Sequence, residues 1–155
     1  MIPESEFIRI CLRPVAETVT LRARFTLLDW LGCVIAARYS PAAEAMARAL
    51  GSTHNDLLHI GAVCTRADAQ NAALALGTLG NVLEMDDLHR SSILHPGDAI
   101  CAAAYAVAMR QPTSGRIFLS ALVHGYEAAI RIGKAAASGG YTTFYNSGTC
   151  GVFGA

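Results

Sequence analysis

Residues 15–38 read VAETVTLRARFTLLDWLGCVIAAR, and this stretch decides the fold. Its apolar side chains recur at Val19, Ala23, Leu27, Trp30, Leu31 and Val34, which is one face of an α-helix. The same period returns downstream. Ala69, Ala72, Ala73, Leu76, Gly80 and Leu83 share one helical face, and Thr65–Asp68 before them has capping-box spacing with Asp in place of Glu. A further helix is expected over Asp98–Met109. After the break QPTSG comes a long helix carrying Phe118, Ala121, Leu122, Gly125, Ala129 and Ile132, ended at Gly139–Gly140. Ser40 and Pro41 make an N-cap and first helical position for a short helix closed by Gly51. Only Gly51–Cys64, short and turn-rich, has room for a strand or two. The chain holds 28 alanines, many on these faces, and small residues there let helices approach closely. The expectation is an all-α fold, mainly a helical bundle, with residues 1–155 forming part of one domain.

Composition narrows the function classes. Apolar residues make up 53% of the 155 and charged residues 15%, which excludes intrinsic disorder. Twelve basic and twelve acidic residues cancel, so no electrostatic footprint for nucleic acid or a membrane surface is present. So few charges on so apolar a chain imply surface covered by another subunit or by further polypeptide. The longest apolar run, Ala99–Met109, is too short to span a bilayer, and the N-terminus lacks the apolar core of a secretory signal. Cys11, Cys33, Cys64, Cys101 and Cys150 are odd in number and scattered without a CxxC pair. They read as buried free thiols in a reducing compartment, which predicts a cytoplasmic protein. The apolar end, Gly151–Ala155, reads as the opening turn of another helix, and a truncated chain or one half of a split protein is expected.

Polar density peaks once, over Leu83–Gly97, LEMDDLHRSSILHPG. Glu84, Asp86, Asp87, His89 and His95 fall there at a helix end and the loop after it. Crowded carboxylates repel, so burial would raise the pKa of at least one, which suits acid–base work beside histidine. A divalent cation would compete for the same groups, but their spacing fits no dedicated metal motif, so no metal is expected. The plainer reading is a solvated helix end with His95 as a capping or turn residue. A second feature, Tyr141–Gly154, is a Gly-, Ser- and Thr-rich loop entering a helix. It is either an anion site on free N–H groups or an ordinary N-cap. His54 and His59 read as surface residues, Trp30 as core, and His124 with Glu127 as a local helix pair.

Five elements in order resemble the N-terminal helical part of the MmgE/PrpD family, which includes 2-methylcitrate dehydratase, cis-aconitate decarboxylase and iminodisuccinate epimerase. Leu28–Cys33 is similar to its early LDxxG element. Met85–His89 is similar to its D-F-D-D-T-H segment, and His95–Asp98 to the H-P-S/G after it. Gly125–Gly133 is similar to G-Y-E-x-x-x-R-I-G, and Ser147–Ala155 to T-G-T-x-G-x-F-G-A. The resemblance implies a partial all-helical domain whose α+β lid lies outside this chain, homodimers or completion by a second polypeptide, and chemistry without a cofactor. Tyr126 and Arg131 would then pack and brace. Three positions depart from the pattern: Glu84 replaces the first aspartate, Leu88 the threonine, and Tyr145 a histidine. Tyrosine titrates at about 10 against about 6.5 for histidine, so it is a poorer base but still a proton donor.

The reaction these groups suit is abstraction of a proton α to a carboxylate on a small di- or tricarboxylate. His95 is the leading catalytic residue. Asp86, Asp87 and Glu84 polarise or orient, and Tyr145 delivers a proton. His89 with Ser147, Gly148, Thr149 and Cys150 completes a substrate-binding set. Loss of a β-hydroxyl from the intermediate makes a dehydratase-type lyase, the first reading. Reprotonation on the other face, with Tyr145 in a two-base pair, makes an epimerase. From a different class, a non-catalytic helical interaction module would keep the scaffold and lose the chemistry. The fragment alone is expected to be inactive.

Overall fold

Residues 15–38 do form the central helix. In the computed structural model, which describes residues 3–50, 68–137 and 144–155, Glu17–Ala37 is one continuous α-helix. It is the second of seven α-helices among the described residues: α1 (Glu4–Cys11), α2 (Glu17–Ala37), α3 (Pro41–Ala49), α4 (Ala69–Asn81), α5 (Pro96–Ala108), α6 (Gly115–Ala137) and α7 (Asn146–Cys150). A 3₁₀ turn, Gly151–Phe153, follows α7. No strand occurs among the described residues, and one antiparallel bridge joins His89 to Leu94. The fold is all-α. No described helix is long and apolar enough to cross a membrane. The strand expected within Gly51–Cys64, His54, His59, Cys64, Thr65 and the Gly139–Gly140 helix end lie outside the described residues.

Burial follows helical spacing. Ala23, Trp30, Cys33, Val34 and Ala37 of α2 are buried, and Leu27 and Leu31 are partly buried against the same core. Val19, expected on that face, is exposed because it stands at the mouth of a cavity between α2 and α6. α4 and α5 pack most extensively, through Ala72, Ala75 and Leu76 on one side and Ile100, Cys101, Ala102 and Ala106 on the other. Alanines at a contact draw helix axes toward the short end of the usual 8–10 Å. Burying a leucine or isoleucine fully is worth about 2 kcal/mol. Leu76, Leu79, Leu94, Ile100 and Leu122 therefore outweigh any local helix propensity. Trp30 stacks toward Tyr105 at 6.2 Å and lies over Gly80, where a Cβ would come within 2.5 Å of its Nε1.

Helix ends follow their caps. Ser40 accepts from the Ala43 N–H with Pro41 in the first turn. The cap of α4 is Asp68, which accepts from the Asn71 N–H at 2.7 Å. α5 starts at Pro96, earlier than the expected Asp98, because proline fits a first helical position without losing a hydrogen bond. The closing segment is a short helix, Asn146–Cys150, running into the 3₁₀ turn Gly151–Phe153. α1 is short, with Phe7 and Ile10 half-buried and Cys11 buried on one face. His124 and Glu127 do not pair with each other. His124 Nε2 donates to the Arg13 carbonyl at 3.2 Å, while Glu127 holds Arg131 at 2.6 Å and Arg13 at 3.3 Å. Cys11, Cys33, Cys101 and Cys150 are buried free thiols.

Candidate active site

The polar stretch 83–97 folds into a compact loop that carries the chain from α4 to α5. α4 ends at Asn81, and the chain reverses through Glu84, whose φ of 52° is left-handed. That conformation costs a non-glycine residue about 1–2 kcal/mol. The reversal brings Asp86 back beneath the last turn of α4, where Asn81 Nδ2 lies 3.3 and 3.4 Å from its two carboxylate oxygens. The loop is then pinned by the His89–Leu94 bridge, with Ser92 and Leu94 fully buried. Leu94 under the core delivers the next residue, His95, to the N-cap position of α5.

His95 is fixed at two points. Its backbone N–H donates to Ser147 Oγ at 2.9 Å, and its Nδ1 stands 2.9 Å from Asp86 Oδ2. The Asp86 side chain is 1% exposed and that of His95 15%. A carboxylate so deeply buried costs several kcal/mol unless donors surround it, so Nδ1 carries the hydrogen and donates. Nε2 is then left with its lone pair, the arrangement of a carboxylate-oriented base.

Asp98 lies one turn further along α5. Its Oδ1 is buried without a hydrogen-bond partner. Burial first, and then the neighbouring carboxyl groups of Asp86, Asp87 and Glu84, push its carboxyl up to about 9. Asp87 faces the other way. It accepts from the Gly97 N–H at 3.1 Å and the Tyr126 hydroxyl at 2.9 Å. Burial raises its pKa, and those two donors hold it down. A Cβ on Gly97 would stand 2.7 Å from Asp87 Oδ1, so this contact requires glycine.

Residues 145–154 close the site from the other side. Asn146 Nδ2 donates to the buried Ser92 carbonyl at 2.7 Å, tying α7 to the loop. Gly154 lies backbone to backbone against Gly125 of α6, beside Ile100, with no space for a side chain on either. Ser147 and the Tyr145 ring, whose centroid is 6.4 Å from that of His95, are thereby held at the rim. Between α4, α5 and this segment opens a cleft of about 660 Å³, lined by Asn81, His95, Asp98, Tyr145, Ser147 and Gly148.

Of the expected site residues, His95, Tyr145, Ser147 and Gly148 meet at the cleft, with Asp86 directly behind His95. The others do not line it. Glu84 is exposed without a side-chain partner among the described residues, because the left-handed turn throws it outward. Asp87 is engaged with α6. His89 bonds Ser92 Oγ at 2.8 Å and lines a separate cavity of about 400 Å³ between α2 and α6. Thr149 Oγ1 turns back to the Tyr145 and Asn146 carbonyls, and Cys150 packs into the core. Tyr126 and Arg131 brace, as expected, through Asp87 and Glu127. Asn81 and Asp98 were not anticipated. Asp98 was legible only as a helix-start acid, yet its spacing of three from His95 puts both in one turn. Among the described residues no three His, Cys, Asp or Glu side chains converge to hold a metal ion, and no lysine or arginine lines the cleft.

A helical domain whose loop and N-terminal α5 turn carry a carboxylate–histidine pair over an open cleft matches one family model. The MmgE/PrpD N-terminal domain covers residues 8–155, and the chain belongs to that family. It is also 30% identical over 129 residues to the cis-aconitate decarboxylase-like protein oryM of Aspergillus oryzae. That match takes in 78% of this chain and 27% of the relative, so the chain spans about a quarter of the relative's length. No solved structure matches.

Proposed function

We propose that this chain is part of a cofactor-independent, dehydratase-type lyase that abstracts a proton α to a carboxylate of a small di- or tricarboxylate. The observation carrying this reading is the Asp86–His95 pair at 2.9 Å, buried on the Asp86 side and facing the cleft on the other. Asp86 holds Nδ1–H, so Nε2 receives the proton. Tyr145 at the rim supplies a proton to the leaving hydroxyl, and Ser147 keeps the His95 backbone in register. Removing a proton beside a carboxylate requires positive charge on the growing anion. Since no lysine or arginine among the described residues lines the cleft, the cations come from further chain, and activity belongs to the completed protein. The outward stripe of α2, Leu21, Phe25 and Leu28, exposed by 50%, 58% and 66%, is the surface such polypeptide or a second copy in a homodimer would cover. A cytoplasmic setting suits the buried free thiols.

Tyr145 facing His95 favours one second reading, an epimerase with a proton donor on each face of the carbanion. The test is to incubate the complete protein with a panel of hydroxylated and unsaturated di- and tricarboxylates. A new carbon–carbon double bond, seen by ultraviolet absorbance, marks the lyase. Inversion at the α-carbon without that band marks the epimerase. His95→Ala should lower either rate at least tenfold. Absence of both reactions across the panel leaves the non-catalytic interaction module standing.

A further inference from the structure

We propose that the cavity between α2 and α6 is a second binding site, separate from the His95 cleft, for a small organic carboxylate that carries an aliphatic chain. The cavity measures about 400 Å³, within the usual size of a small-molecule site. It shares no lining residue with the cleft, and the inference does not depend on the reaction proposed above.

Helical spacing builds the cavity. Val19, Ala23 and Thr26 recur every three or four residues and line it from α2 with short side chains. Leu122, Val123 and Ile130 answer from α6, with Ala23 and Leu122 buried at the floor. α6 does not close on those short side chains because it is held against other elements. A Cβ on Gly125 would meet the Gly154 carbonyl, and one on Gly133 would stand 2.9 Å from Ser92 Cβ. Space therefore remains beside Thr26 that a larger side chain would fill.

The charges around this space do not balance. Arg22, Arg131, Lys134 and the His89 ring line it with one carboxylate, that of Glu127. Glu127 is already engaged twice, by Arg131 at 2.6 Å and by Arg13 at 3.3 Å. Arg22 and Lys134 have no ion-pair partner among the described residues. His89 Nδ1 is bonded to Ser92 Oγ at 2.8 Å, so Nε2 is the ring nitrogen left for a ligand.

Positive groups around apolar walls select an anionic head on an apolar body. An inorganic anion would leave the valine, leucine and isoleucine walls in water and forgo their burial. An aliphatic amine would be repelled by Arg22 and Lys134. A carboxylate on an aliphatic chain satisfies both demands, and a guanidinium can hold its head through two parallel N–H bonds.

The experiment is isothermal titration calorimetry of the complete protein with octanoate, using inorganic phosphate and octylamine as controls. Octanoate should bind more tightly than either control, with the negative heat-capacity change that burial of an apolar chain produces. Arg22→Ser combined with Lys134→Ser should weaken it at least roughly tenfold, and both positions are exposed, so the fold should persist. Thr26→Phe should fill the cavity and abolish binding, with thermal unfolding confirming that the variant is folded. His95→Ala should leave octanoate affinity unchanged, which separates this cavity from the cleft. Failure of octanoate to bind overturns the proposal. So does phosphate binding as tightly as octanoate, an affinity unmoved by the Arg22→Ser and Lys134→Ser pair, or loss of binding in His95→Ala.

Discussion

Removing one oxygen atom, in Tyr126→Phe, tests the bracing that holds the site to α6. The Tyr126 hydroxyl donates to Asp87 Oδ2 at 2.9 Å, and Asp87 in turn accepts the Gly97 N–H two residues beyond His95. A hydrogen bond to a charged group contributes about 1.5–3 kcal/mol and one between neutral groups about 1 kcal/mol. Asp87 is only half-buried, so about 2 kcal/mol is the appropriate loss while it is ionised. The pH dependence follows from its raised pKa, caused first by burial and opposed by Tyr126. A carboxyl raised in the folded state binds its proton more tightly than in the unfolded chain. Its contribution to stability is therefore fullest below the unfolded value of about 3.9 and is lost as pH climbs through the folded value. Without Tyr126 the folded value rises further, so the loss deepens with pH. Urea unfolding of the complete protein and of Tyr126→Phe should show a gap of about 1 kcal/mol in mild acid and about 2 kcal/mol above neutrality. A gap that is equal at both, or that shrinks as pH rises, would refute the reasoning.

Gly125→Ala should cost about 1–3 kcal/mol, because its Cβ meets the Gly154 carbonyl and stands 2.8 Å from Ile100 Cγ2. Thermal unfolding checks the loss, and turnover should fall with it as residues 145–154 lift from the rim. Ser147→Ala removes the acceptor of the His95 N–H and should cost about 1 kcal/mol in urea unfolding. Glu84→Gly relieves a left-handed backbone and should raise stability by about 1 kcal/mol, visible as a higher urea midpoint.

Much of the helical architecture was legible because burial in a bundle imposes the 3.6-residue period that α2, α4 and α6 display. α1 was not, although Phe7, Ile10 and Cys11 share a face, because two turns are too short for a period to stand out. Val19 misled for another reason: spacing tells which side chains share a face but not how far along the helix a neighbour covers it. At the site, sequence brought Asp86 and His95 into one short segment. It did not show that the left-handed turn at Glu84 sends adjacent carboxylates to different places, with Asp86 under His95, Asp87 to Tyr126 and Glu84 into solvent. Nor did it show that Asp98 joins His95 in lining the cleft. His89 matched a motif yet faces the cavity between α2 and α6, because the bridge to Leu94 turns the chain over between the two histidines.

The central claim is that His95, held by Asp86, removes a proton α to a carboxylate once the chain is completed. The direct measurement is proton NMR in deuterated water on the complete protein with each candidate di- or tricarboxylate, following loss of the α-proton signal. The account predicts exchange with at least one substrate, slowed at least roughly tenfold in His95→Ala and also slowed in Asp86→Asn. Exchange that proceeds at the parent rate in His95→Ala would contradict it.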